Sequence, residues 1–325
     1  MTGILDSFGR SINYLRISVT DRCNLRCIYC MPPEGVPQMP HSEILSYEEV
    51  RTVVRAAAEL GINRIRFTGG EPLVRAELSK LIKMISQIEG IQELSLTTNG
   101  TFLKNYALEL KQAGLSRVNV SLDTLKADKF QYITRLGKLK DVLEGIEAAK
   151  EAGFEPVKIN TVVMRGINDD EILDFAKMTY KDGWHVRFIE LMPFKGVAEF
   201  VPSIELRQHI SLLGKLEPSA SITGNGPAMY YRLAGARGTI GFISPLTETS
   251  FCSRCNRMRL TPDGRLRPCL LGEDEIDLKT PLRNNASVEE LKRLILKAIA
   301  SKPEHHHLEG GYVRLVKRKM SQIGG

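Results

Sequence analysis

The arrangement of the cysteines constrains the fold of this chain more than any other sequence feature, because all six belong to two triplets and none is left over. The triplets are Cys23-x3-Cys27-x2-Cys30 and Cys252-x2-Cys255-x13-Cys269. Three thiolates are one short of the four ligands of a closed metal site. An iron–sulfur cluster held by three cysteines therefore keeps one iron free to bind another molecule. The spacing predicts two metal centres, each with an open position, which the fold brings together.

A zinc ribbon is the alternative interpretation of the second triplet, with its fourth ligand taken from elsewhere in the chain. No further cysteine could complete such a site, although a histidine could. The run His305-His306-His307 resembles part of a purification tag, yet plausible chain follows it, and we interpret it as exposed rather than as a ligand set. The second triplet alone leaves zinc open, whereas the presence of the first triplet favours a cluster.

Short apolar runs alternate with longer helical periodicities up to about residue 192, which predicts an α/β fold with a parallel sheet. The predicted strands are residues 15–19, 64–68, 94–98, 118–122, 157–163 and 186–191. The predicted helices between them are residues 47–60, 77–88, 103–112, 142–151 and 171–180. Right-handed crossovers curl such a series toward a barrel. Because only six units fit, we expect an incomplete parallel (βα)6 barrel over residues 1–192, with the first cluster at its N-terminal triplet.

The pattern changes after residue 192, where short strands among glycines predict a smaller C-terminal α+β domain over residues 193–325. Its predicted elements are a helix over 202–213, strands over 229–233 and 239–243, and a last helix over 288–300. We expect this domain to carry the second cluster. The chain closes on Ile323-Gly324-Gly325, an apolar and sterically small end.

A hairpin is predicted between the last two cysteines, because Thr261-Pro262-Asp263-Gly264 has strong turn chemistry. In a register symmetric about the proline, the facing pairs are Arg259 with Arg265, Arg257 with Arg267, and Cys255 with Cys269. Alternation along the strands then puts all six side chains on one face. Four arginines beside a metal site would repel one another unless an anion joined them, so the pattern predicts a polyphosphate nearby. A solvated basic ribbon is the alternative.

Polar residues stand near the ends of five successive predicted strands, and the C-terminal strand ends of a parallel barrel line its active-site mouth. They are Arg66 and Thr68, Thr97 to Asn99, Ser121 and Asp123, Lys158 and Asn160, and Arg187 and Glu190. Five strands in a row predict a polar pocket that accepts an anion, and arginine can bind phosphate through two hydrogen bonds. No G-x-x-x-x-G-K-[ST] sequence occurs, so dispersed cations rather than a P-loop would hold a triphosphate.

Charge and composition limit the partners of such a protein. The 325 residues include 45 basic and 38 acidic side chains, which gives a formal net charge of +7. This modest excess fits an anionic small substrate, but few aromatics (6%) and no Lys- or Arg-rich run argue against nucleic acid. No stretch approaches the roughly 20 apolar residues that span a bilayer, and the N-terminus lacks the features of a signal peptide. We expect a cytoplasmic protein without membrane contact, in a reducing compartment where cysteines favour metals over disulfides.

Two motifs carry a resemblance to a known family. The segment Asp21-Arg22-Cys23-Asn24-Leu25-Arg26-Cys27-Ile28-Tyr29-Cys30 resembles the motif of radical S-adenosylmethionine (SAM) enzymes, with an aromatic residue before the last cysteine. Combined with Thr68-Gly69-Gly70-Glu71-Pro72, the second triplet and the Gly-Gly end, it makes the chain similar to the GTP 3′,8-cyclases. That family performs the first step of molybdenum cofactor biosynthesis, and the resemblance covers essentially the whole chain.

The resemblance implies two [4Fe–4S] clusters, one on each triplet, with SAM at the open iron of the first and guanine at that of the second. It implies a 5′-deoxyadenosyl radical that takes the hydrogen at C3′ of GTP, after which C3′ bonds to C8 of the guanine. The implied cluster ligands are Cys23, Cys27, Cys30, Cys252, Cys255 and Cys269. The implied SAM contacts are Tyr29, Gly70, Ser121 and Met192. The implied GTP contacts are Arg16, Arg66, Thr97, Lys158, Arg187, Arg257, Met258 and Arg259, with Arg257 and Arg259 also implied as catalytic.

The implied partners are GTP as substrate, an electron donor and, downstream, cyclic pyranopterin monophosphate synthase. The sequence does not fix the oligomeric state, and a homodimer stays open. Two alternatives also remain. One is a different two-cluster radical SAM enzyme acting on a peptide or on transfer RNA, although peptide-modifying relatives usually carry more C-terminal cysteines. The other is a zinc-ribbon binding module without catalysis, which would be colourless and free of sulfide.

Overall fold

The computed structural model describes residues 3–192, 199–220, 226–306 and 318–324. The strands are β1 (Ile4–Leu5), β2 (Ser11–Ile12), β3 (Tyr14–Ser18), β4 (Arg64–Thr68), β5 (Glu93–Thr98), β6 (Arg117–Ser121), β7 (Lys158–Val163), β8 (His185–Glu190), β9 (Leu216–Pro218), β10 (Met229–Leu233), β11 (Thr239–Ile243), β12 (Arg257–Leu260), β13 (Arg265–Arg267) and β14 (Ile276–Asp277). The helices are α1 (Tyr47–Glu59), α2 (Leu78–Ser86), α3 (Leu103–Gln112), α4 (Ala127–Thr134), α5 (Leu139–Glu151), α6 (Ile172–Lys181), α7 (Ser203–Ile210), α8 (Lys279–Arg283), α9 (Val288–Ala300) and α10 (Met320–Ile323).

One sheet of twelve strands organises the molecule, in the order β14-β13-β12-β3-β4-β5-β6-β7-β8-β11-β10-β9. Strands β3 to β8 pair in chain order and are parallel. Among the described residues β14 and β9 stand at opposite ends of this order, so the sheet does not close. The prediction of an incomplete parallel barrel is confirmed, and each of the six predicted strands agrees with the structure to within one residue at either end.

The C-terminal strands extend both edges of the barrel sheet. Strand β12 pairs in parallel with β3, and β11 pairs in parallel with β8. Antiparallel partners then follow outward, β13 and β14 on one side and β10 and β9 on the other. This arrangement puts the hairpin that follows Cys255 directly beside the strand that leads to Cys23. A domain boundary at residue 192 stays a prediction.

Helix α1 shows how the local sequence sets the start of a helix and the face that it buries. The Ser46 hydroxyl accepts from the Glu49 amide (3.1 Å) while the Glu49 carboxylate accepts from the Ser46 amide (2.7 Å), which satisfies two amides at the helix start. Val50, Val53 and Val54 recur at helical spacing and are buried against the sheet. None of the helices in the described ranges is long and apolar enough to cross a bilayer.

The predicted hairpin forms, but its predicted register is wrong by two residues. Arg259 faces Arg267, not Arg265. The reason is the turn: the Thr261 amide donates to the Arg265 carbonyl (2.9 Å), and Gly264 takes a φ of +76° inside a three-residue loop. A shift of two residues preserves the faces of the strands, so Arg257 and Arg259 still point to the same side.

Candidate active site

A cavity of about 360 Å³ opens at the C-terminal ends of the parallel strands, and all six cysteines line it. The first triplet follows β3, whereas the second lies just before β12 and just after β13. Because β12 and β3 are neighbours in the sheet, the fold joins triplets that stand more than 200 residues apart in sequence. The cavity therefore offers two groups of thiols to one bound molecule.

The loop of the first triplet is held by the C-terminal end of α4. The Arg26 and Ile28 amides donate to the carbonyls of Thr134 (3.0 Å) and Ile133 (2.9 Å). The Arg135 guanidinium donates to the carbonyls of Arg26 (2.7 Å) and Met31 (3.0 Å). Sequence analysis missed both α4 and Arg135. The only sequence signal was a short apolar periodicity between two predicted elements.

The thiols of the first triplet resist ionisation in the absence of a cation. Burial raises the pKa of Cys23 to about 11 and that of Cys30 to about 12, and it raises the pKa of Cys27 as well. The neighbouring thiolates add to the shifts of Cys27 and Cys30. Three thiolates this close become stable together only beside a strongly positive group. Their chemistry fits an iron–sulfur cluster, whose irons supply that charge.

The second triplet lies in a more cationic environment. Burial opposes ionisation of Cys255, but the charges of Arg257 and Lys302 outweigh it and lower the pKa of this thiol to about 6. The His306 ring Nδ1 lies 2.9 Å from the Cys252 sulfur and this histidine lines the cavity, so the interpretation of the histidine run as exposed is wrong for His306. In the described ranges no group of three or more His, Cys, Asp and Glu side chains is arranged around a single metal ion. The donor set of this triplet, three thiols beside cationic side chains, fits an iron–sulfur cluster.

The segment Gly69-Gly70-Glu71 fastens β4 to the loop before Cys23. A Cβ on Gly70 would lie 2.4 Å from the carbonyl oxygen of Arg22, so only glycine fits there. The Glu71 carboxylate accepts from the Thr98 hydroxyl (2.7 Å) and the Asn99 amide (2.7 Å). Burial raises the pKa of Glu71 to about 7, against these hydrogen bonds. The backbone of this segment therefore forms one wall of the cavity beside the first triplet.

Tyr29 is held in place from the opposite wall. Its hydroxyl donates to the Asp123 carboxylate (2.7 Å), which also accepts from the Val162 amide (2.9 Å). Burial raises the pKa of Asp123 to about 6, and burial followed by the charge of Asp123 raises that of Tyr29. Ser121 and Met192 also line the cavity. All four residues implied as SAM contacts therefore line the cavity that holds the first triplet, and their contacts with SAM stay a prediction.

Five arginines face the interior between the two triplets: Arg16, Arg66, Arg187, Arg257 and Arg259. Arg259, Arg16 and Arg66 occupy the same register position on three adjacent parallel strands. Burial, followed by the charge of Arg257, lowers the pKa of Arg259 to about 10, and burial lowers that of Arg187 to about 10. Such a row of buried like charges requires an anion for compensation.

Buried polar atoms in this wall are a second indication of a bound ligand. In the part of the chain that the structure describes, the Thr97 hydroxyl, the Asn160 side-chain oxygen and the Arg187 Nε are buried without a hydrogen-bond partner. All three residues line the cavity. Since a buried polar group without a partner is costly, these atoms fit a polar molecule that would occupy the space between the triplets.

Comparisons with known proteins agree with this geometry. The family model for the Radical SAM superfamily matches residues 17–179, and the one for Molybdenum Cofactor Synthesis C matches residues 184–308. The GTP 3′,8-cyclase of Moorella thermoacetica is 53% identical, over 98% of this chain and 99% of that protein. The chain belongs to the GTP 3′,8-cyclase family. The GTP 3′,8-cyclase of Pelotomaculum thermopropionicum is similar at 54% identity, over 98% of this chain and 99% of its own.

Solved structures support the fold of this family member. SuiB of Streptococcus suis bound to S-adenosylmethionine has a TM-score of 0.61 at 13% identity, and the match covers 86% of this chain and 68% of that one. Another crystal structure of SuiB gives a TM-score of 0.62 at 15% identity, over 90% and 67% of the two chains. At such identities the likeness concerns the fold alone. Family membership confirms the predicted enzyme class and its radical SAM chemistry.

Two residues implied as GTP contacts in this GTP 3′,8-cyclase family member have side chains outside the cavity. Met258 is 0% exposed, because alternation along β12 turns it into the core between Arg257 and Arg259. Lys158 is the first residue of β7, so the prediction that it stands at a C-terminal strand end is wrong, and Arg187 likewise lies in the middle of β8. The Lys158 amine donates to the Tyr230 hydroxyl (3.3 Å), and burial lowers the pKa of this lysine to about 6. Their contacts with GTP stay a prediction.

The hairpin of this family member contributes two of its four arginines to the cavity rather than all four. Arg257 and Arg259 line it. Arg265 instead pairs with Asp277 (2.9 Å), and Arg267 pairs with Glu275. The arginines of β12 therefore face the cavity, whereas the charges of the two arginines of β13 are neutralised by acidic residues on or next to β14.

The C-terminal tail enters the cavity, as the resemblance to the family implies for a glycine tail, and Met320 and Ser321 line it. The Gly324 carbonyl accepts from Arg259 (3.0 Å), and more weakly from Arg16 and Thr68 (both 3.4 Å). Arg318 anchors the tail through two hydrogen bonds to the Asp263 carboxylate (3.0 and 2.8 Å). Nothing in the local sequence marked Arg318 for this contact. Gly325 and His307 lie outside the described residues.

Proposed function

We propose that this chain cyclises GTP to (8S)-3′,8-cyclo-7,8-dihydroguanosine 5′-triphosphate, the first step of molybdenum cofactor biosynthesis, with SAM and two [4Fe–4S] clusters as cofactors. One observation carries the proposal: both cysteine triplets line a single cavity whose wall between them holds five arginines. A triphosphate would satisfy the arginines, and its nucleoside, bound in the same cavity, would lie near both triplets. The full-length similarity to curated GTP 3′,8-cyclases supports the same substrate.

Each triplet would hold one cluster, Cys23, Cys27 and Cys30 the first and Cys252, Cys255 and Cys269 the second. When bound, the first cluster and SAM supply the 5′-deoxyadenosyl radical that removes the hydrogen at C3′ of GTP. Tyr29, Gly70, Ser121 and Met192 would orient SAM, since all four line the cavity beside the first triplet. The Asp123 carboxylate fixes the Tyr29 hydroxyl, so this ring needs no rearrangement when SAM binds.

The arginine wall would bind and orient the triphosphate. Arg16, Arg66 and Arg259 stand in register on adjacent strands and can each donate two hydrogen bonds to phosphate oxygens. Arg187 and Thr97 offer the unpartnered donor atoms already described. Arg257 and Arg259 are the proposed catalytic residues, because both line the cavity from the strand that follows Cys255 and would hold the reacting substrate. Fixing both ends of GTP keeps C3′ and C8 in reach of each other.

The tail would keep water from the reacting atoms. Gly324 covers the arginine wall at Arg259, whose guanidinium donates to the Gly324 carbonyl. Met320 and Ser321 line the cavity. Ser321 also donates a backbone hydrogen bond to Cys30, so the same short segment touches both halves of the site. A closed, dry site protects a carbon radical from side reactions.

The proposed function implies partners beyond GTP. A one-electron donor must reduce the first cluster, because reductive cleavage of SAM consumes one electron per turnover. The cyclised nucleotide would pass to cyclic pyranopterin monophosphate synthase. A homodimer is the assembly we propose to test by sedimentation of the reconstituted protein.

The deciding experiment is anaerobic reconstitution with iron and sulfide, followed by dithionite and SAM, with 5′-deoxyadenosine measured with and without GTP. We expect strong stimulation by GTP and one cyclised nucleotide for each SAM cleaved. Cleavage indifferent to GTP would keep the radical chemistry but remove GTP as the substrate. A protein with full cluster content that cleaves no SAM would overturn the enzyme proposal.

Replacing Arg259 by alanine is expected to lower kcat/KM for GTP by about 10- to 100-fold, because a charge-assisted hydrogen bond contributes about 1.5–3 kcal/mol. Iron content and SAM cleavage without GTP should stay at the unmodified level. Arg265→Ala is the matched control, since this arginine lies on the same hairpin but pairs with Asp277. Equal kcat/KM values for Arg259→Ala and the control would place Arg259 outside the substrate site.

A further inference from the structure

The second cysteine triplet is assembled around a buried lysine that sequence analysis did not single out. Lys302 is 3% exposed and lies just after α9. Its ammonium donates to the Arg257 carbonyl (2.8 Å) and to the Pro268 carbonyl (2.6 Å). Arg257 comes two residues after Cys255, and Pro268 directly precedes Cys269. One side chain therefore joins the two chain segments that carry these cysteines.

The ammonium also lies close enough to the triplet for its charge to act on the Cys255 thiol. Burial lowers the pKa of Lys302, and the negative charges that oppose this shift are those of Cys255 and Cys269. Two of the three donors of the ammonium therefore bind the segments that carry these cysteines, and its charge acts on the triplet itself. A buried cation is costly unless a negative charge accompanies it, and thiolates bound to a cluster provide that charge.

The backbone around Lys302 is fixed from both directions. Leu291, Ile295 and Ile299 bury one face of α9 against the core. On the other side, the Arg10 guanidinium donates to the carbonyls of Cys252 (3.0 Å) and Pro303 (2.7 Å). The chain after α9 therefore cannot move away from the triplet without breaking both sets of contacts.

We propose that Lys302 is a positioning residue for the second cluster. Lys302 fixes the distance between Cys255 and Cys269 and places a positive charge beside the Cys255 sulfur. Hydrogen bonds and positive charge at a cluster thiolate stabilise the reduced form, so this contact raises the reduction potential of the second cluster. The same contact retains iron, because release of the cluster requires Cys255 and Cys269 to separate. This inference rests on the proposed function only in that the second triplet holds a cluster.

The test is an EPR-monitored redox titration of the reconstituted full chain, with Lys302→Met as the variant. SAM addition identifies the signal of the first cluster, which then serves as an internal reference. We expect the potential of the second cluster to fall and its iron to be lost to a chelator about 10-fold faster, while the first cluster is unchanged. Lys297→Met, on the exposed face of α9, is the control and should leave both clusters unchanged.

Lys302→Arg separates charge from geometry, and it also guards against a methionine variant that fails to fold. Arginine keeps the charge but cannot place three donors as an ammonium does, so we expect a nearly unchanged potential with faster iron release. If both variants show two EPR signals with unchanged reduction potentials and unchanged rates of iron release, only the proposed role of Lys302 is overturned. The absence of a second signal in the unmodified protein would overturn this inference together with the proposed second cluster. GTP is not needed for either readout, so a failure to cyclise GTP would leave the inference standing.

Discussion

Replacing Cys27 by serine is expected to abolish SAM cleavage and to remove about half of the bound iron, while the second triplet still assembles its cluster. Cys27 is partly buried, and Cys30 and Cys23 both act on its charge, so this thiol lies close to the other two thiols of the first triplet. A serine hydroxyl does not ionise near neutral pH and cannot replace a thiolate on iron. The measurements are iron and sulfide content together with 5′-deoxyadenosine after reduction with dithionite.

Cys255→Ser is the matched control, because it removes one ligand from the other triplet. We expect this variant to lose a comparable share of iron but to keep SAM cleavage in the absence of GTP. The pair of variants therefore assigns each half of the iron to one triplet. SAM cleavage by Cys27→Ser at the unmodified rate would remove Cys27 from the first site, and loss of cleavage in both variants would show that the clusters do not assemble independently.

The barrel strands were predictable because their signal is local. Each strand is a short apolar run between helical periodicities, and burial on both faces of a parallel sheet needs no longer-range information. The register of the β12–β13 hairpin was not, because the turn depends on whether Gly264 takes a positive φ. A symmetric loop and the observed three-residue loop have the same turn residues, so the sequence alone does not distinguish them.

The candidate site was predictable in its chemistry but not in its connections. The two triplets and Arg16, Arg66 and Arg187 were identified from residue type and motif, and the structure places them around one cavity. The residues that hold these groups in place were missed. Arg135, Lys302 and Arg318 all donate to backbone carbonyls or carboxylates far away in sequence. Such contacts depend on tertiary packing, which no local pattern records.

The carbonyl of Gly324 joins the tail to the arginine wall, so Gly324→Ala is expected to lower GTP-dependent turnover by about 100-fold, in line with the cost of displacing a site by about 1 Å. A Cβ at this position would lie 2.4 Å from the Thr68 hydroxyl and 2.9 Å from the Ser18 Cβ. Gly324 also has a φ of +74°, which costs an L-residue about 1–2 kcal/mol. The alanine variant therefore must move its carbonyl away from Arg259 and Arg16, and we expect this change in turnover without a change in iron content.

Gly153→Ala isolates the backbone strain from the loss of the tail contact. Gly153 has a φ of +79°, yet no atom lies within 4 Å of the position that its Cβ would take. It precedes β7, on the side of the sheet where the parallel strands begin, whereas the cavity lies where they end. We expect the two variants to have the same effect on the thermal unfolding midpoint, whereas only Gly324→Ala should lose turnover. If turnover fell equally in both, strain rather than the tail contact would be responsible. If Gly324→Ala kept full turnover, the tail would lie outside the working site, because its carbonyl cannot stay on Arg259 with a methyl group pressed against Thr68.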